Sequence, residues 1–393
     1  MSGDPAPGES MPDRPGPSER SAAFAPGRVN LIGEHTDYNQ GLALPFAIAE
    51  GVIVRAETAD PISPGVQRIY AHARDLGETD EFELSDISPA KGWRAFVRGV
   101  FAELSKAGCP LMGARLEIGG DLEQGAGLSS SAALEVALCL ALADLSSHVS
   151  AVGLEPPVQG PPTPVEGSRG PDGGQKPLDR IAIARLCARV ENDWVGAQTG
   201  MLDQLASLYG APDTALRIDF RTLEIEPMPL RLGGWRFVVV DSGERHANAS
   251  SGYNERRVEC LRACELMGID SLRDASADAV ARLPAPLRAR AEHVLGENAR
   301  VEKAVAALHA QDLPVLGELL NASHKSLRDL YEVSTPTVER TVEQVRKDGA
   351  AGARLMGGGF GGSVLGLFAP DVSLPSGARE VRPGPGAHVL AND

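Results

Sequence analysis

Apolar residues recur along the chain in two spacings, which predict a mixture of helices and strands. Spacings of three and four residues and helix-forming composition predict helices over Ser130 to Leu145, Leu178 to Val195, Ser251 to Met267 and in parts of Leu287 to Val345. Short apolar runs predict strands over Leu42 to Thr58, Arg115 to Ile118, Trp235 to Asp241 and Ser363 to Phe368. These elements do not alternate as strict βαβ units, so the pattern indicates the α+β class.

Two stretches carry neither spacing. Residues 1–20 are rich in Pro, Gly and Ser, and this composition predicts a disordered tail. Residues 150–177 hold seven prolines and six glycines in 28 residues, which predicts a long surface insertion. The total of 393 residues allows two or three domains.

Charge and cysteine content narrow the class of protein. The chain has 38 basic and 53 acidic residues, a formal charge of −15, which disfavours broad contact with nucleic acid or an anionic membrane. The longest apolar run, Val136 to Ala143, is too short to span a membrane, and the N-terminus lacks the apolar core of a secretory signal. Five scattered cysteines predict reduced thiols in a cytoplasmic protein.

A glycine-rich segment from Gly125 to Leu134, GAGLSSSAAL, is the first candidate for chemistry. Its glycines permit close approach of a ligand to the backbone, and its serines open a helix whose unpaired N–H groups attract anions. The segment therefore predicts a phosphate site. The alternative is that Ser129 or Ser130 only caps the helix.

A second segment, Ala25 to Gly41 (APGRVNLIGEHTDYNQG), is crowded with hydrogen-bonding side chains. Such groups suit the adjacent hydroxyls of a polyol, and we predict a binding loop here; a plain solvated loop is the alternative. A third segment, Gly357 to Gly362, matches the dinucleotide pattern G-x-G-x-x-G. Because a strand-like run follows it, we expect a turn close to another backbone instead.

Together these three segments resemble the superfamily of galactokinase, homoserine kinase, mevalonate kinase and phosphomevalonate kinase. GRVNLIGEHTDYNQG resembles the galactokinase signature, GAGLSSSAALEVA the phosphate loop and GARLMGGGFGG the third motif. The resemblance extends from about Ala22 to the final GAHVL. It departs at Met356, Gly358 and Ala71, which fall on the nucleotide side of the family pattern.

The resemblance implies two domains with the active site between them. Residues 21–210, including the insertion 150–177, would form an N-terminal domain similar to domain 2 of ribosomal protein S5, and residues 211–393 a ferredoxin-like C-terminal domain. It implies a monomeric enzyme that uses ATP and Mg²⁺ to convert α-D-galactose to α-D-galactose 1-phosphate. The alternatives are a kinase for N-acetylgalactosamine or arabinose, and a galactose sensor without catalysis.

The resemblance also implies catalytic and metal-binding roles. Asp203 would accept the proton from the sugar hydroxyl; the alternative is that it only stabilises the start of a helix. Arg28 would lie beside Asp203; the alternative is that it pairs with Glu34. Glu191 falls on or beside the apolar stripe of its predicted helix, where a carboxylate needs a partner or a metal. The family pattern makes Glu191 and Ser131 Mg²⁺ ligands, whereas pairing with Arg189 or Arg185 is the alternative.

The remaining implied residues hold the two substrates. The sugar would be bound by Glu34, His35, Thr36, Asp37, Gly200 and Tyr253. The nucleotide phosphates would be bound by Gly125, Ala126, Gly127, Leu128, Ser129, Ser130 and Ser131.

Overall fold

The fold is seen in a computed structural model that describes residues 19–61, 63, 65–122, 127–146, 178–244 and 249–391. The strands are β1 (Arg20–Asn30), β2 (Leu42–Ala43), β3 (Pro45–Thr58), β4 (Arg68–Ala73), β5 (Glu78–Glu83), β6 (Ala114–Gly120), β7 (Thr214–Asp219), β8 (Glu224–Pro229), β9 (Arg236–Asp241), β10 (Gly352–Leu355), β11 (Ser363–Phe368), β12 (Arg379–Val381) and β13 (His388–Val389). The helices are α1 (Trp93–Lys106), α2 (Ser130–Leu145), α3 (Arg180–Arg189), α4 (Leu202–Tyr209), α5 (Ala249–Met267), α6 (Ala277–Ala281), α7 (Leu287–Ala310), α8 (Leu313–Asp329) and α9 (Pro336–Lys347).

The largest sheet has the strand order β13–β1–β3–β6–β4–β5. Its neighbouring strands are antiparallel, apart from β4 and β6, which are parallel and are connected through β5 and α1. Helix α2 packs across β1 and β3 and contacts α1, α3 and α4. Because α2 is apolar nearly all round and buried from Ala132 to Ala143, it forms the centre of this half of the molecule.

A second sheet, β10–β11–β9–β12, is antiparallel throughout and is covered by α8 and α9. A third, β2–β7–β8, lies beside them. One hydrophobic cluster joins the two larger sheets, with Phe46 of β3 packed on Phe237 of β9 at a ring-centroid distance of 5.7 Å. The two halves therefore share a core, and the candidate site lies at this junction.

Several predicted elements agree with the structure. The predicted bounds of α2 and β11 match those observed, and the α+β class is confirmed. The predicted helix to Val195 ends as α3 at Arg189 and continues as one π-helical turn, Val190–Val195. The domain boundary after residue 210 stays a prediction. Strands that follow it pair with strands that precede it: β7 pairs with β2, and β13 pairs with β1.

One element was predicted wrongly. Residues 25–30, assigned to a loop, complete strand β1, which pairs with β3. The register shifts between Pro26 and Arg28, and a side chain at Gly27 would collide with the Leu128 carbonyl. Gly27 thus lets β1 lie against the segment that precedes α2, and Arg28 follows directly beside it.

Some predictions fall partly or wholly outside the described residues. These are residues 1–18 of the tail predicted at 1–20, the insertion 150–177, and Gly125 and Ala126 of the phosphate segment. The tail prediction is wrong at Arg20, which begins β1. Within the described part of the chain, no helix has the length and apolar character needed to cross a membrane. The five cysteines are free and buried, as predicted for reduced thiols.

Candidate active site

A cavity of about 340 Å³ opens between β1, α4, α5 and the glycine-rich loop before β11. It is lined by Arg28, Glu34, His35, Asp37, Ser131, Glu191, Ala197, Thr199, Gly200, Leu202, Asp203, Tyr253, Asn254, Gly357, Gly358 and Gly359. The fold therefore brings together residues from six separate parts of the chain that were singled out in the sequence. Thr36 is the exception on the sugar side: its buried hydroxyl donates to the carbonyls of Gly33 and Leu42, behind the cavity wall.

Asp203 and Arg28 form the charged centre of this cavity. Arg28 Nε donates to Asp203 Oδ1 at 2.7 Å, and Arg28 Nη1 donates to the Gly127 carbonyl at 2.8 Å. Asp203 lies in the first turn of α4, where the helix dipole also favours a negative charge. The alternative pairing of Arg28 with Glu34 is wrong. The pair therefore places the Asp203 carboxylate next to the segment that begins α2.

Ser129 completes this cluster. It has a left-handed backbone conformation, with φ of 61°, and its hydroxyl donates to Asp203 Oδ2 at 2.5 Å. Its side chain makes no capping hydrogen bond to α2, so the interpretation of Ser129 as a simple cap is wrong. Leu128 is buried, and its carbonyl accepts from the Arg28 backbone N–H at 3.0 Å.

Glu34 is held by a residue of the third motif to which the sequence pattern assigned no role. Arg354 of β10 is fully buried, and its Nη2 lies 2.8 Å from Glu34 Oε1. Arg354 also donates to the Leu31 carbonyl at 2.7 Å, and the Gly357 N–H donates to Glu34 Oε1 at 2.9 Å. Glu34 and Arg354 are 320 residues apart, so no local pattern could have paired them.

Burial shifts the pKa values of Asp37 and His35, two further polar residues that line the larger cavity. Burial, together with the negative Asp203 and Glu34, raises the pKa of Asp37 to about 7. Burial and the neighbouring His293 lower the pKa of His35 well below its usual range, so this ring is neutral. A side chain at Gly200 would collide with the Asp37 carboxylate, which explains the glycine at this position.

Glu191 lies in the π-helical turn after α3 and is buried. It accepts hydrogen bonds from the hydroxyls of Ser131 at 3.1 Å and Thr199 at 2.5 Å, and from Gln204 Nε2 at 3.1 Å. Burial and then the negative Asp203 raise its pKa. Arg189 instead bonds Glu103 at 2.7 Å, so the proposed pairing of Glu191 with Arg189 is wrong.

The donor set at Glu191 fits a hard divalent cation. A carboxylate beside a hydroxyl, open to a cavity, offers the oxygen ligands that Mg²⁺ prefers when substrate oxygens and waters supply the rest. The unpartnered oxygen Oε1 of buried Gln204 adds one more acceptor nearby. Among the described residues, no group of three or more His, Cys, Asp or Glu could hold a metal by itself.

A second cavity, of about 200 Å³, meets the first at Ser131. It is lined by Val52, Ala73, Asp75, Leu76, Gly92, Trp93, Phe96, Ile118, Gly119, Gly120, Leu122, Ser130, Ser131 and Leu134. Most of these groups are apolar, which suits a flat heteroaromatic ring. Trp93 and Phe96 carry no functional signal in the sequence, because their positions at the start of α1 resemble those of any amphipathic helix.

Comparisons with known proteins agree with this geometry. The sequence models for the N-terminal and C-terminal domains of GHMP kinases match residues 95–155 and 304–383. The mevalonate kinase of Methanococcus jannaschii has the same fold, with a TM-score of 0.60 at 17% identity over 94% of this chain and 99% of that one. The fold and site thus define a kinase of the GHMP class.

More specific matches identify the family. The galactokinase galactose-binding signature matches residues 14–58. The galactokinase of Thermotoga petrophila is 39% identical over 342 residues, 87% of each chain, and that of Mycobacterium tuberculosis is 39% identical over 355 residues, 88% of each. The structure of Lactococcus lactis galactokinase complexed with galactose superposes with a TM-score of 0.80 at 30% identity, covering 94% of this chain and 95% of that one. The chain belongs to the galactokinase family.

Proposed function

We propose that this protein is an ATP-dependent galactokinase. The anomeric hydroxyl oxygen of α-D-galactose attacks the γ-phosphorus of ATP and forms the new O–P bond as the bond to the β–γ bridging oxygen breaks. The products are α-D-galactose 1-phosphate and ADP, and the hydroxyl proton passes to a carboxylate of the protein. Family membership and the two adjoining cavities support this assignment.

The observation that carries the proposal is the cluster of Arg28, Asp203 and Ser129 at the start of α2. We assign Asp203 as the group that accepts the proton, since its second oxygen is held by a hydroxyl that a substrate hydroxyl can replace. Arg28 pairs with Asp203 and offers positive charge where the transferred phosphoryl group would lie.

We assign the polar wall of the larger cavity to the sugar. Glu34, held by Arg354, and Asp37 offer carboxylate oxygens that accept hydrogen bonds from adjacent hydroxyls. Tyr253 offers its ring to an apolar face of the sugar. Gly200 contributes by leaving room for Asp37.

We assign ATP to the start of α2 and the smaller cavity. Gly127, Leu128, Ser129, Ser130 and Ser131 would surround the phosphates, and Trp93 and Phe96 would face the adenine. Ser131 and Glu191 are the residues that would hold Mg²⁺. When bound, this ion neutralises charge on the β- and γ-phosphates.

An ADP-release assay over a panel of sugars tests the proposal. The full chain, with ATP and Mg²⁺, should give its highest kcat/KM with galactose, and phosphorus NMR should show a sugar 1-phosphate. A preference for N-acetylgalactosamine or arabinose would replace the proposed substrate. Binding of galactose and ATP with no turnover would indicate a sensor instead.

Three further assignments accompany the proposal. We propose that the protein acts as a monomer on these two small molecules, that it is cytoplasmic, and that its domains divide near residue 210. Sedimentation of the full chain would test the first, and cell fractionation the second. Limited proteolysis that releases two stable fragments cut near residue 210 would support the third.

A further inference from the structure

A row of hydrogen bonds leads from the sugar cavity into the C-terminal half of the molecule. His35 Nδ1 lies 2.9 Å from the Tyr38 hydroxyl, which lies 2.8 Å from the Tyr331 hydroxyl. The Tyr331 hydroxyl in turn lies 3.1 Å from Cys260 Sγ. We call these four residues the hydroxyl chain. Of the four, His35 lines the cavity, whereas Tyr38, Tyr331 and Cys260 are not among its described lining residues.

The order of donors along the hydroxyl chain follows from its chemistry. Asn39 Nδ2 donates to Cys260 Sγ at 3.6 Å, so the sulfur accepts there and its own hydrogen can point to Tyr331. A phenol is a better donor than a neutral imidazole N–H, and an unprotonated imidazole nitrogen is the better acceptor. The distances fit donation in either direction, and on this chemistry we take the hydroxyl of Tyr331 to donate to Tyr38 and that of Tyr38 to donate to His35 Nδ1.

This order fixes the proton of His35 on its other nitrogen. A neutral histidine carries one N–H, and the hydrogen bond at one nitrogen determines which form is present. Nε2 is buried and has no well-formed hydrogen bond among the described residues; the backbone of Gly358 makes a weaker hydrogen-bonding contact with the ring, which raises its pKa. A buried donor without a partner is costly, so a ligand oxygen at this position would be favoured.

The rings around His35 also hold its orientation. The Tyr331 ring lies between those of His35 and His293, with centroid distances of 4.6 Å and 4.4 Å. The Tyr253 ring contacts His35 from another direction at 5.1 Å. His293 is itself bonded to Ser326 at 2.8 Å. The imidazole can therefore neither rotate nor withdraw without moving several buried rings.

We propose that Tyr331, acting through Tyr38, is a positioning residue that holds His35 in the Nε2–H form, ready to donate a hydrogen bond to a sugar hydroxyl. The proposal rests on the proposed function for the identity of the sugar. It gives a residue between α8 and α9 a role in sugar binding without contact to the sugar. The experiment must distinguish a move of the His35 proton to Nδ1 from a loss of packing around the ring.

The first measurement is the kinetic effect of Tyr331→Phe, which removes the hydroxyl and keeps the ring. The KM for galactose should rise about three- to tenfold, the size expected for one hydrogen bond, with kcat and the KM for ATP unchanged. Tyr38→Phe should raise it further, because Nδ1 then loses its partner directly. Tyr209→Phe is the matched control, because Tyr209 lines neither cavity. It should leave kcat and both KM values unchanged.

The second measurement reads the proton itself. Long-range ¹H–¹⁵N spectra distinguish the two neutral forms of histidine, and the signals of His35 can be assigned by comparison with His35→Asn. Native protein should show the Nε2–H form, and Tyr38→Phe should show a mixture. Cys260→Ser, which keeps a donor to Tyr331, should retain the native signals.

Two results would overturn the proposal: an Nδ1–H form of His35 in the native protein, or an unchanged spectrum in Tyr38→Phe. A rise in KM for Tyr331→Phe with an unchanged His35 spectrum would also contradict it, because packing alone would then explain the loss. If galactose is no substrate, the proposed function fails, yet the spectra still decide the form of His35.

Discussion

The two cavities that meet at Ser131 are built from opposite kinds of surface. The larger one, of about 340 Å³, places carboxylates and an arginine in contact with one another. The smaller one, of about 200 Å³, is formed mainly by apolar side chains of α1, β6 and α2. The first can select a ligand by the direction of its hydrogen bonds, and the second selects by shape.

The difference also concerns how each cavity is assembled. The charges of the polar cavity are held by partners far away in sequence: Arg28 and Asp203 are 175 residues apart. The apolar cavity takes its shape from a helix start and a sheet face. Removal of one charge should therefore disable the polar cavity, whereas a change of shape in the apolar one should only weaken nucleotide binding.

The largest effect is expected from Asp203→Asn. The amide keeps the size of the side chain but cannot accept the proton or balance Arg28, so kcat should fall by about 10²–10⁴-fold or more. The KM for galactose should change far less, and calorimetry should still detect galactose binding.

Asp213→Asn is the matched control for this variant. Asp213 lies in a turn with φ of 52°, a conformation that Asn also adopts, and it lines neither cavity. Its turnover should equal that of the native enzyme. If Asp203→Asn keeps turnover within a few fold of native, the carboxylate takes no part in proton removal, and positioning alone accounts for catalysis.

Glu191→Gln probes the boundary between the two cavities and should have the next largest effect. The change removes the charge of a proposed Mg²⁺ ligand, so the Mg²⁺ concentration for half-maximal rate should rise at least about tenfold. Galactose affinity should remain close to native. Titration of the rate with Mg²⁺ at saturating ATP measures this directly.

Phe96→Leu, measured in the same Mg²⁺ titration, shows how a change in the apolar cavity differs from one at Glu191. It alters only the apolar wall, so the KM for ATP should rise while the Mg²⁺ requirement and galactose affinity stay native. Should Glu191→Gln lower thermal stability without changing the Mg²⁺ requirement, Glu191 would be a structural hydrogen-bond acceptor for Thr199 and Gln204.

Burial of Asp37 in the polar cavity should make stability depend on pH. Its pKa is about 7 in the folded protein against 3.8 for the free side chain, so the folded state binds more protons than the unfolded chain between these values. The free energy of unfolding should therefore fall as pH rises from about 4 to 7, by an amount on the order of a few kcal/mol.

Asp37→Asn tests this origin, because an amide cannot ionise. Without ligands, the Tm of the variant should fall less steeply than that of native protein from about pH 5 to pH 7.5. Glu191, whose pKa is also raised by burial, contributes in the same direction and leaves a residual slope. Identical slopes in the two proteins would show that Asp37 is not a source of the dependence.

The sequence predicted the apolar elements better than the polar ones. Helix α2 and strand β11 could be located because their residues are apolar and their burial follows from composition. Strand β1 was missed, because Arg28 and Asn30 are buried polar residues within it. The cost of burying Arg28 is met by contacts with Asp203 and Gly127, which lie in distant segments that a local pattern does not contain.

The site was predictable as far as its motifs extended. The three segments contain half of the residues that line the polar cavity, but not the residues that hold them in place. Arg354 and Tyr331 act on Glu34 and His35 across roughly 300 residues, and their own neighbours give no sign of it. The apolar cavity left no motif, since hydrophobic shape can be built from many sequences.

The smallest effect is expected from deletion of Val152 to Gln175, within the insertion predicted from the sequence. Helix α2 ends with the Ser146 hydroxyl donating to the Leu142 carbonyl, and α3 begins with Asp179 accepting from the Ala182 N–H at 2.7 Å. Because both helices carry their own end contacts, and loop closure depends weakly on length, kcat and both KM values should stay within about twofold of native. A large loss of turnover with an unchanged Tm and circular dichroism spectrum would show that this segment covers the polar cavity during catalysis, and the division of the site into two cavities would then be incomplete.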